Sequence, residues 1–232
     1  MPVYNEEDSL EALVTEIAAA LGDPARPYEL VAVDDGSTDD SLATLKRLKR
    51  QHPELHIVAF ATNAGQTAAL AAGFRAARGR VVITLDADLQ NDPGDIPALV
   101  SALEAGTAAA VVGYRLGRRD SAWKRVQSGV ANVLRNWLTG ESIRDTGCGL
   151  KAFRADALGP LPPYDGMHRF LPTLIKLGGG TVLELPVRHR ARRFGVSKYG
   201  MWKRAWRGLV DALVVRWMQE RRLRHQVRED LP

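Results

Sequence analysis

Through the first half of the chain, compact apolar runs alternate with amphipathic stretches. Tyr28–Val33, His56–Ala61, Arg80–Leu85 and Ala109–Tyr114 are short and apolar, and they predict strands. Between them, Ser41–Gln51, Gln66–Arg78 and Ile96–Ala105 carry apolar residues at helical spacing. Regular alternation of the two predicts an α/β fold with a parallel sheet covered on both faces. In such sheets ligands collect beyond the carboxyl ends of the strands. The polar clusters fall at those ends: Asp34-Asp35 after one strand, Asp86-Ala87-Asp88 after another, Arg115 after a third. Parallel strands would bring them to one rim.

The second half has a different pattern. Ser121–Leu138 reads as a basic amphipathic helix, with Trp123, Val126, Val130, Val133, Leu134 and Trp137 among Lys124, Arg125 and Arg135. Asp145–Arg154 predicts a Gly-containing turn leading into a short strand or helix, Met167–Leu177 a helix and Thr181–His189 a strand. Arg192–Tyr199 reads as a loop, and Met201–Arg224 as a long helix with Arg216, Arg221, Arg222 and Arg224 near its end. With no internal repeat or low-complexity linker, the expectation is one domain over residues 1–200 and an amphipathic basic helix and tail over 201–232.

Composition narrows the class. At 232 residues, 45% hydrophobic and 25% charged, the chain is globular, which excludes disorder, collagen-like repeats and multi-domain arrays. Its one cysteine, Cys148, excludes an intramolecular disulfide and a Cys-based zinc site, and reads as a small packing residue. Neither a basic-then-apolar leader nor a run of eighteen apolar residues occurs, so no spanning helix is expected. The net charge of +5 hides an asymmetry. Arg188 to Arg228 hold 13 Lys/Arg against 2 Asp/Glu, while the rest holds 19 against 25. A basic quarter on a mildly acidic body points to an anionic partner: phosphate, lipid headgroups or nucleic acid. No nucleic-acid motif accompanies it, so a nucleic-acid module rests on charge alone and no such partner is expected.

Asp86, Asp88 and Gln90 stand at alternate positions after a strand, an oxygen set suited to Mg²⁺ or Mn²⁺ shared with substrate phosphates. The bland alternative is a polar turn, with Asn91-Asp92-Pro93 opening a helix. In Asp34-Asp35-Gly36-Ser37-Thr38-Asp39, a carboxylate suits a ribose or base edge. Equally, Asp39 or Ser37 caps the next helix and Gly36 supplies the turn. His168, before Arg169-Phe170, is either a packing histidine or a neighbour of the site.

Together these pieces carry a resemblance. Pro2-Val3-Tyr4-Asn5-Glu6-Glu7, Asp34–Asp39, Asn63-Ala64-Gly65 and Asp86-Ala87-Asp88-Leu89-Gln90 resemble the nucleotide-binding half of family 2 inverting glycosyltransferases. Gly113-Tyr114-Arg115, Lys124-Arg125 with Ser128-Gly129 and Asn132, Asp145–Gly149, and Arg192 before Gly195–Tyr199 look like the polyprenyl-phosphate branch, which includes the dolichol-phosphate mannosyltransferases. The resemblance implies a nucleotide-sugar-binding, Rossmann-like fold of GT-A type, with a mostly parallel sheet and amphipathic interface helices. It also implies transfer of a sugar, with inversion, from a UDP- or GDP-linked donor to undecaprenyl or dolichyl phosphate.

The resemblance assigns residues too. Pro2, Tyr4, Glu6, Val33, Asp35, Asp86, Ala87, Asp88, Gln90, Arg192 and Lys198 fall where the family meets the nucleotide sugar. Asp86, Asp88 and Gln90 fall where it holds Mg²⁺ or Mn²⁺. Arg115, Arg125 and Ser128 fall at the acceptor phosphate, and Asp88, Asp145 and Arg115 at the reaction centre. The charges suit the chemistry, because a departing diphosphate gains negative charge that a cation stabilises. A lipid phosphate is already an anion and needs no strong general base. Rival readings are a family 2 enzyme with a soluble or polysaccharide acceptor and an inactive membrane scaffold.

Without a spanning helix, membrane contact would be peripheral, at the cytoplasmic inner face, or come through a membrane partner subunit. Ser121–Leu138 and Met201–Arg224 have the composition of interfacial helices, with Trp202, Trp206 and Trp217 at headgroup level and the Arg-rich end drawn to anionic lipid. Packing of both helices on the core is the alternative. Met1 directly precedes the first-loop motif, so the family's first strand is expected to be missing and the start truncated.

Overall fold

The computed structural model describes residues 1–23, 25–116, 133, 135–159, 161–162, 164–191 and 201–221, with side chains in the last helix from Gly208 onward. Two β-ladders carry the fold. In the first, β1 (Pro2–Val3), β2 (Leu30–Asp34) and β3 (Leu55–Ala59) lie in that order, all parallel. The second contains β4 (Val81–Thr84), β5 (Ala110–Arg115), β6 (Lys151–Arg154) and β7 (Val182–Val187) in the order β4-β6-β5-β7.

The sheet departs from a wholly parallel one at β6, which runs antiparallel to both β4 and β5, while β5 and β7 are parallel. The reason is positional. Asp145–Leu150 lies at the rim where β4 and β5 end, so a strand starting there must run back down between them. The first strand is short. Pro2 pairs with Val33 and Val3 with Asp34, and the Val33 N–H donates to Met1 O (2.9 Å). Pro2 and Val3 form this short strand β1. It ends as the chain bends at Asn5, whose φ is +51°.

The helices are α1 (Glu7–Leu21), α2 (Ser41–Leu48), α3 (Gln66–Ala76), α4 (Ile96–Glu104), α5 (Ala155–Leu158), α6 (Leu171–Leu177) and α7 (Met201–Glu220). Sequence reasoning passed over α1, although its buried Leu10, Leu13, Val14 and Ile17 follow helical spacing. One buried cluster joins the two ladders: Val3 and Leu10 lie in it with Leu85, Leu99, Val111 and Leu150. Each such side chain contributes roughly 1.5–3 kcal/mol through burial.

The last helix has two faces. Ala212 and Val215 are buried with Met167, Phe170 and Leu174, and Gln219 Nε2 donates to Thr139 O (2.8 Å). On the outward side Val210, Leu213 and Trp217 are exposed, Trp217 by 59%. Trp137, within helical residues 135–139, is 75% exposed. Packing and exposure thus belong to different faces of the same helix. Residues 117–132 and 134, most of the predicted Ser121–Leu138 helix, lie outside the described residues, as do the side chains of Trp202 and Trp206. Among the described residues no helix is long and apolar enough to cross a membrane.

Gly36 makes the turn after β2. Its φ is +66°, and a Cβ there would sit 2.5 Å from the Thr62 carbonyl carbon. Gly36→Ala is therefore expected to cost roughly 1–3 kcal/mol of stability. Urea unfolding checks this, and an unchanged midpoint would refute it.

Candidate functional site

The loop after β1 is sewn to the loop after β2. Asn5 N–H donates to Ser37 Oγ (3.0 Å), Thr38 N–H to Asn5 Oδ1 (2.8 Å) and Glu6 N–H to Ser41 Oγ (2.8 Å). Glu7 accepts from Asp40 N–H (2.7 Å), and Asp39 from Ser41 N–H (3.0 Å). Neither expected cap is the N-cap of α2, which is Asp40: Asp39, one residue earlier, accepts from Ser41 N–H, and Ser37 is taken by the first loop. These bonds fix the backbone on either side of Tyr4 and Glu6, which are half-buried, next to buried Val33.

Asp35 is buried and organises the following loop. Its carboxylate accepts from Ala64 N–H (2.7 Å), Gly65 N–H (2.9 Å) and Asn63 Nδ2 (2.9 Å). This explains Asn63-Ala64-Gly65 as a backbone cradle for a carboxylate. A carboxylate has about four acceptor positions, so the cradle does not exhaust it. Asp34 is buried as well, and its Oδ1 has no hydrogen-bond partner among the described residues.

Beyond β4 the side chains alternate. Leu85, Ala87 and Leu89 are buried, while Asp86, Asp88 and Gln90 are half-buried on the other side. Leu89 holds φ at +59°, a left-handed conformation that costs energy in a residue with a bulky side chain. Ser9 Oγ anchors the segment by donating to Ala87 O (2.6 Å). Asp86 Oδ1 accepts from Gln66 Nε2 (3.1 Å), and Asp88 Oδ1 from Gln90 N–H (3.1 Å). Gly149 packs so closely that any Cβ would collide with the Asp86 carboxylate. Burial raises the Asp86 pKa and the neighbouring Asp88 charge adds to this, against the attraction of Lys151 and Arg115.

Two adjacent carboxylates that repel one another fit a hard divalent cation. Mg²⁺ in particular takes one or two carboxylates and completes its shell with substrate phosphates and water. Among the described residues no group of three or more His, Cys, Asp or Glu side chains forms a metal cluster. A metal held by Asp86 and Asp88 would therefore share its coordination with a bound diphosphate. Gln90 follows them, its backbone carbonyl accepting from Arg190 N–H (2.8 Å).

At the end of β5, Arg115 and Asp145 form a two-pronged pair: Nε to Oδ2 at 2.6 Å and Nη2 to Oδ1 at 2.9 Å. Their side chains are 14% and 13% exposed. Arg115, expected at the acceptor phosphate, is thus tied to the residue expected nearest the reaction centre. Beneath them Lys151 is 5% exposed, and its ammonium donates to Cys148 O. Burial lowers the Lys151 pKa, against the pull of Cys148, Asp86 and Asp145. Cys148 is fully buried, and its thiol pKa is pushed up by desolvation, in keeping with a packing residue. His168 Nδ1 is hydrogen-bonded to Thr67 Oγ1 (2.7 Å), one residue from Gln66.

Gln66 and Lys151 are the residues that sequence reasoning missed, and Gly149, quoted in the Asp145–Gly149 motif, was given no role of its own. Gln66 directly follows the Asn63–Gly65 motif, and Lys151 is a lone charge in the otherwise apolar run Leu150–Phe153. Arg125, Ser128, Arg192 and Lys198 lie outside the described residues. Part of the basic quarter proves to be structural. Arg188 and Arg190 both pair with Asp92 (3.0 Å each), and they reach Asp95 (2.8 Å) and Glu16 (2.6 Å) respectively.

Sequence comparison agrees with this geometry. Residues 1–160 match glycosyl transferase family 2, and the chain belongs to that family. It is 41% identical over 219 residues to dodecaprenyl-phosphate galacturonate synthase of Rhizobium johnstonii, covering 93% of this chain and 64% of that protein. It is 42% identical over 206 residues to undecaprenyl-phosphate 4-deoxy-4-formamido-L-arabinose transferase of Edwardsiella ictaluri, covering 88% and 62%. The chain thus spans less than two thirds of the length of these relatives. Glucosyl-3-phosphoglycerate synthase from Mycobacterium tuberculosis, solved with Mn²⁺, UDP and phosphoglyceric acid, superposes with a TM-score of 0.71 at 24% identity, covering 93% of this chain and 76% of that one. That likeness shows the fold.

The Arg188–Asp92–Arg190 clamp carries a pH signature. Burial acts to raise the Asp92 pKa, but the Gly94 N–H, Arg190 and Arg188 outweigh it and hold the carboxyl below its ordinary range. A carboxyl depressed on folding adds stability that is complete above its unfolded pKa of about 3.9 and is lost as pH falls through the folded value. Arg190→Met should therefore cost roughly 1–3 kcal/mol at neutral pH, and the gap to wild type should narrow below about pH 4. Thermal melts across pH test this; a gap that stayed constant would refute the assignment.

Proposed function

We propose that this chain transfers a sugar, with inversion, from a UDP- or GDP-linked donor to a polyprenyl phosphate such as undecaprenyl or dolichyl phosphate. The observation that carries the reading is 41% identity, over 93% of the chain, to a protein named as a dodecaprenyl-phosphate sugar synthase. The rim supports it, because the carboxylate pair after β4 and Arg115 at the end of β5 lie near enough for the Arg115 charge to act on Asp86.

In this reading Pro2, Tyr4, Glu6, Val33 and Asp35 border the nucleotide, held by the bonds between the first two loops. Asp86 and Asp88 hold Mg²⁺ or Mn²⁺ at the donor diphosphate, with Gln90 beside them. A bound divalent ion supplies positive charge to the leaving diphosphate. Arg115, oriented by Asp145, presents a fixed cation where two phosphates approach and so lowers their Coulomb repulsion. Arg125 and Ser128 complete the acceptor-phosphate site, and Arg192 and Lys198 the donor side. The acceptor oxygen is anionic at neutral pH, so displacement at the anomeric carbon needs no strong base.

The outward face of α7, with Leu213 and Trp217, suits an anionic membrane surface, and the chain would work at the inner face as a peripheral protein. A membrane partner subunit would serve the same end.

A radiolabelled transfer assay with Mg²⁺ or Mn²⁺, a panel of UDP- and GDP-sugars and undecaprenyl or dolichyl phosphate in detergent tests the reaction. Label in the organic phase from one donor is the expected result; label reaching only soluble acceptors would overturn the lipid acceptor. Asp88→Asn should lower transfer at least about 100-fold with unchanged circular dichroism. Undiminished activity would remove the metal role. For the membrane, Leu213→Ala with Trp217→Ala should weaken binding to anionic vesicles about tenfold in sedimentation. Equal binding would assign that face elsewhere.

A further inference from the structure

The donor-site carboxylates have a buried lysine beneath them. Lys151 opens β6 opposite both Thr84 of β4 and Val112 of β5, so it lies between the Asp86 and Arg115 ends of the rim. Its ammonium donates to Cys148 O, and Thr84 Oγ1 donates to the next carbonyl, Gly149 O (2.7 Å). These two bonds pin the Asp145–Gly149 turn from below. The pinned turn presents Gly149 to the Asp86 carboxylate and Asp145 to Arg115. A buried ammonium is costly to keep. A neutral residue with a donor would hold the Cys148 carbonyl equally well, so the positive charge itself calls for a role.

We infer that Lys151 is a positioning residue whose charge counters Asp86 and Asp145 and makes the nucleotide-free site a poor cation trap. Divalent-ion binding is thereby coupled to the arrival of a nucleotide diphosphate. Without Lys151 the two carboxylates after β4 would attract a divalent ion on their own. With it, the ion lacks enough net negative charge until the diphosphate adds its own. The inference rests on the donor-site reading above, and it concerns the order in which the site is filled.

The test is a Mn²⁺ titration of the full chain at pH 8, with free Mn²⁺ read from its electron paramagnetic resonance signal, alone and with UDP or GDP. Wild type should bind Mn²⁺ weakly alone and tightly with one diphosphate. Lys151→Gln removes the charge and keeps a donor for the Cys148 carbonyl. It should bind Mn²⁺ alone about tenfold more tightly and show a smaller gain from the nucleotide. Lys151→Met should do the same, whereas Lys151→Arg should behave as wild type. Damage to packing weakens metal binding, so the direction of change separates a charge role from a structural one. Unchanged or weaker Mn²⁺ affinity in the Gln and Met variants would overturn the inference. So would failure of both neutral variants to fold while the Arg variant folds, because Lys151 would then serve stability alone. A wild type that binds Mn²⁺ neither alone nor with UDP or GDP would overturn the donor-site reading itself.

Discussion

Negative charge gathered at one end of a sheet is the constraint on which the rest depends. Asp34 ends β2, Asp35, Asp86 and Asp88 follow β2 and β4, and Asp145 precedes β6, all buried or half-buried, where repulsion is less screened than in water. Three of them are met by different parts of the chain. Asp35 is wrapped by the backbone of the next loop, Asp86 is met by Gln66 from α3, and Asp145 by Arg115 from β5. The compensating groups come from sequence-distant segments, so the rim exists only when both ladders and their helices are assembled. Its loops are bonded to each other more than within themselves.

That distribution explains what could be read from the sequence. Strands with an acidic pair at the end were visible because a buried strand and its terminal carboxylates are contiguous in the chain. Asp86, Asp88 and Asp35 were legible for that reason, and so was the α/β alternation. Lys151 and Gln66 were not, because their significance lies in the partners that folding brings to them. The antiparallel course of β6 was equally hidden, since a four-residue strand after a glycine turn carries no mark of direction. β1 is only two residues long, below the length at which alternation becomes a signal, and it is recognisable only by its pairing with Val33 and Asp34. The α1 helix is a different failure, because Leu10, Leu13, Val14 and Ile17 were in plain register.

The basic quarter shows why net charge is a blunt guide. Arg188 and Arg190 clamp Asp92, which caps the turn after the Asp86–Gln90 segment by accepting from Gly94 N–H (2.9 Å). Arg216 pairs along its own helix with Glu220 (2.7 Å). These arginines have acquired partners in folding, and their charge is locally cancelled. Arg188 and Arg190 fasten the turn that follows the Asp86–Gln90 segment, a different role from attracting an anion.

The helix with the exposed tryptophan is tied to the carboxylates beyond β4 through a short series of contacts. Asp211 of α7 pairs with Arg169 (3.4 Å), and His168 bonds to Thr67 in the first turn of α3. Thr67 also accepts from Gly166 N–H (3.0 Å), and Gly166 lies so close to Asp211 that no side chain would fit. Gln66, beside Thr67, reaches Asp86. The buried contacts of Ala212 and Val215 with Met167, Phe170 and Leu174 hold α7 along the same segment. A surface resting on the outer face of α7 would therefore meet an element set at a fixed distance from the carboxylates beyond β4. An enzyme acting on a phosphate carried by a membrane lipid needs such a registration, because the height of the lipid phosphate is set by the bilayer and only the protein can adjust to it. The close fit of Gly166 against Asp211, with the Gly166 N–H bonded to Thr67, holds α7 close to the start of α3.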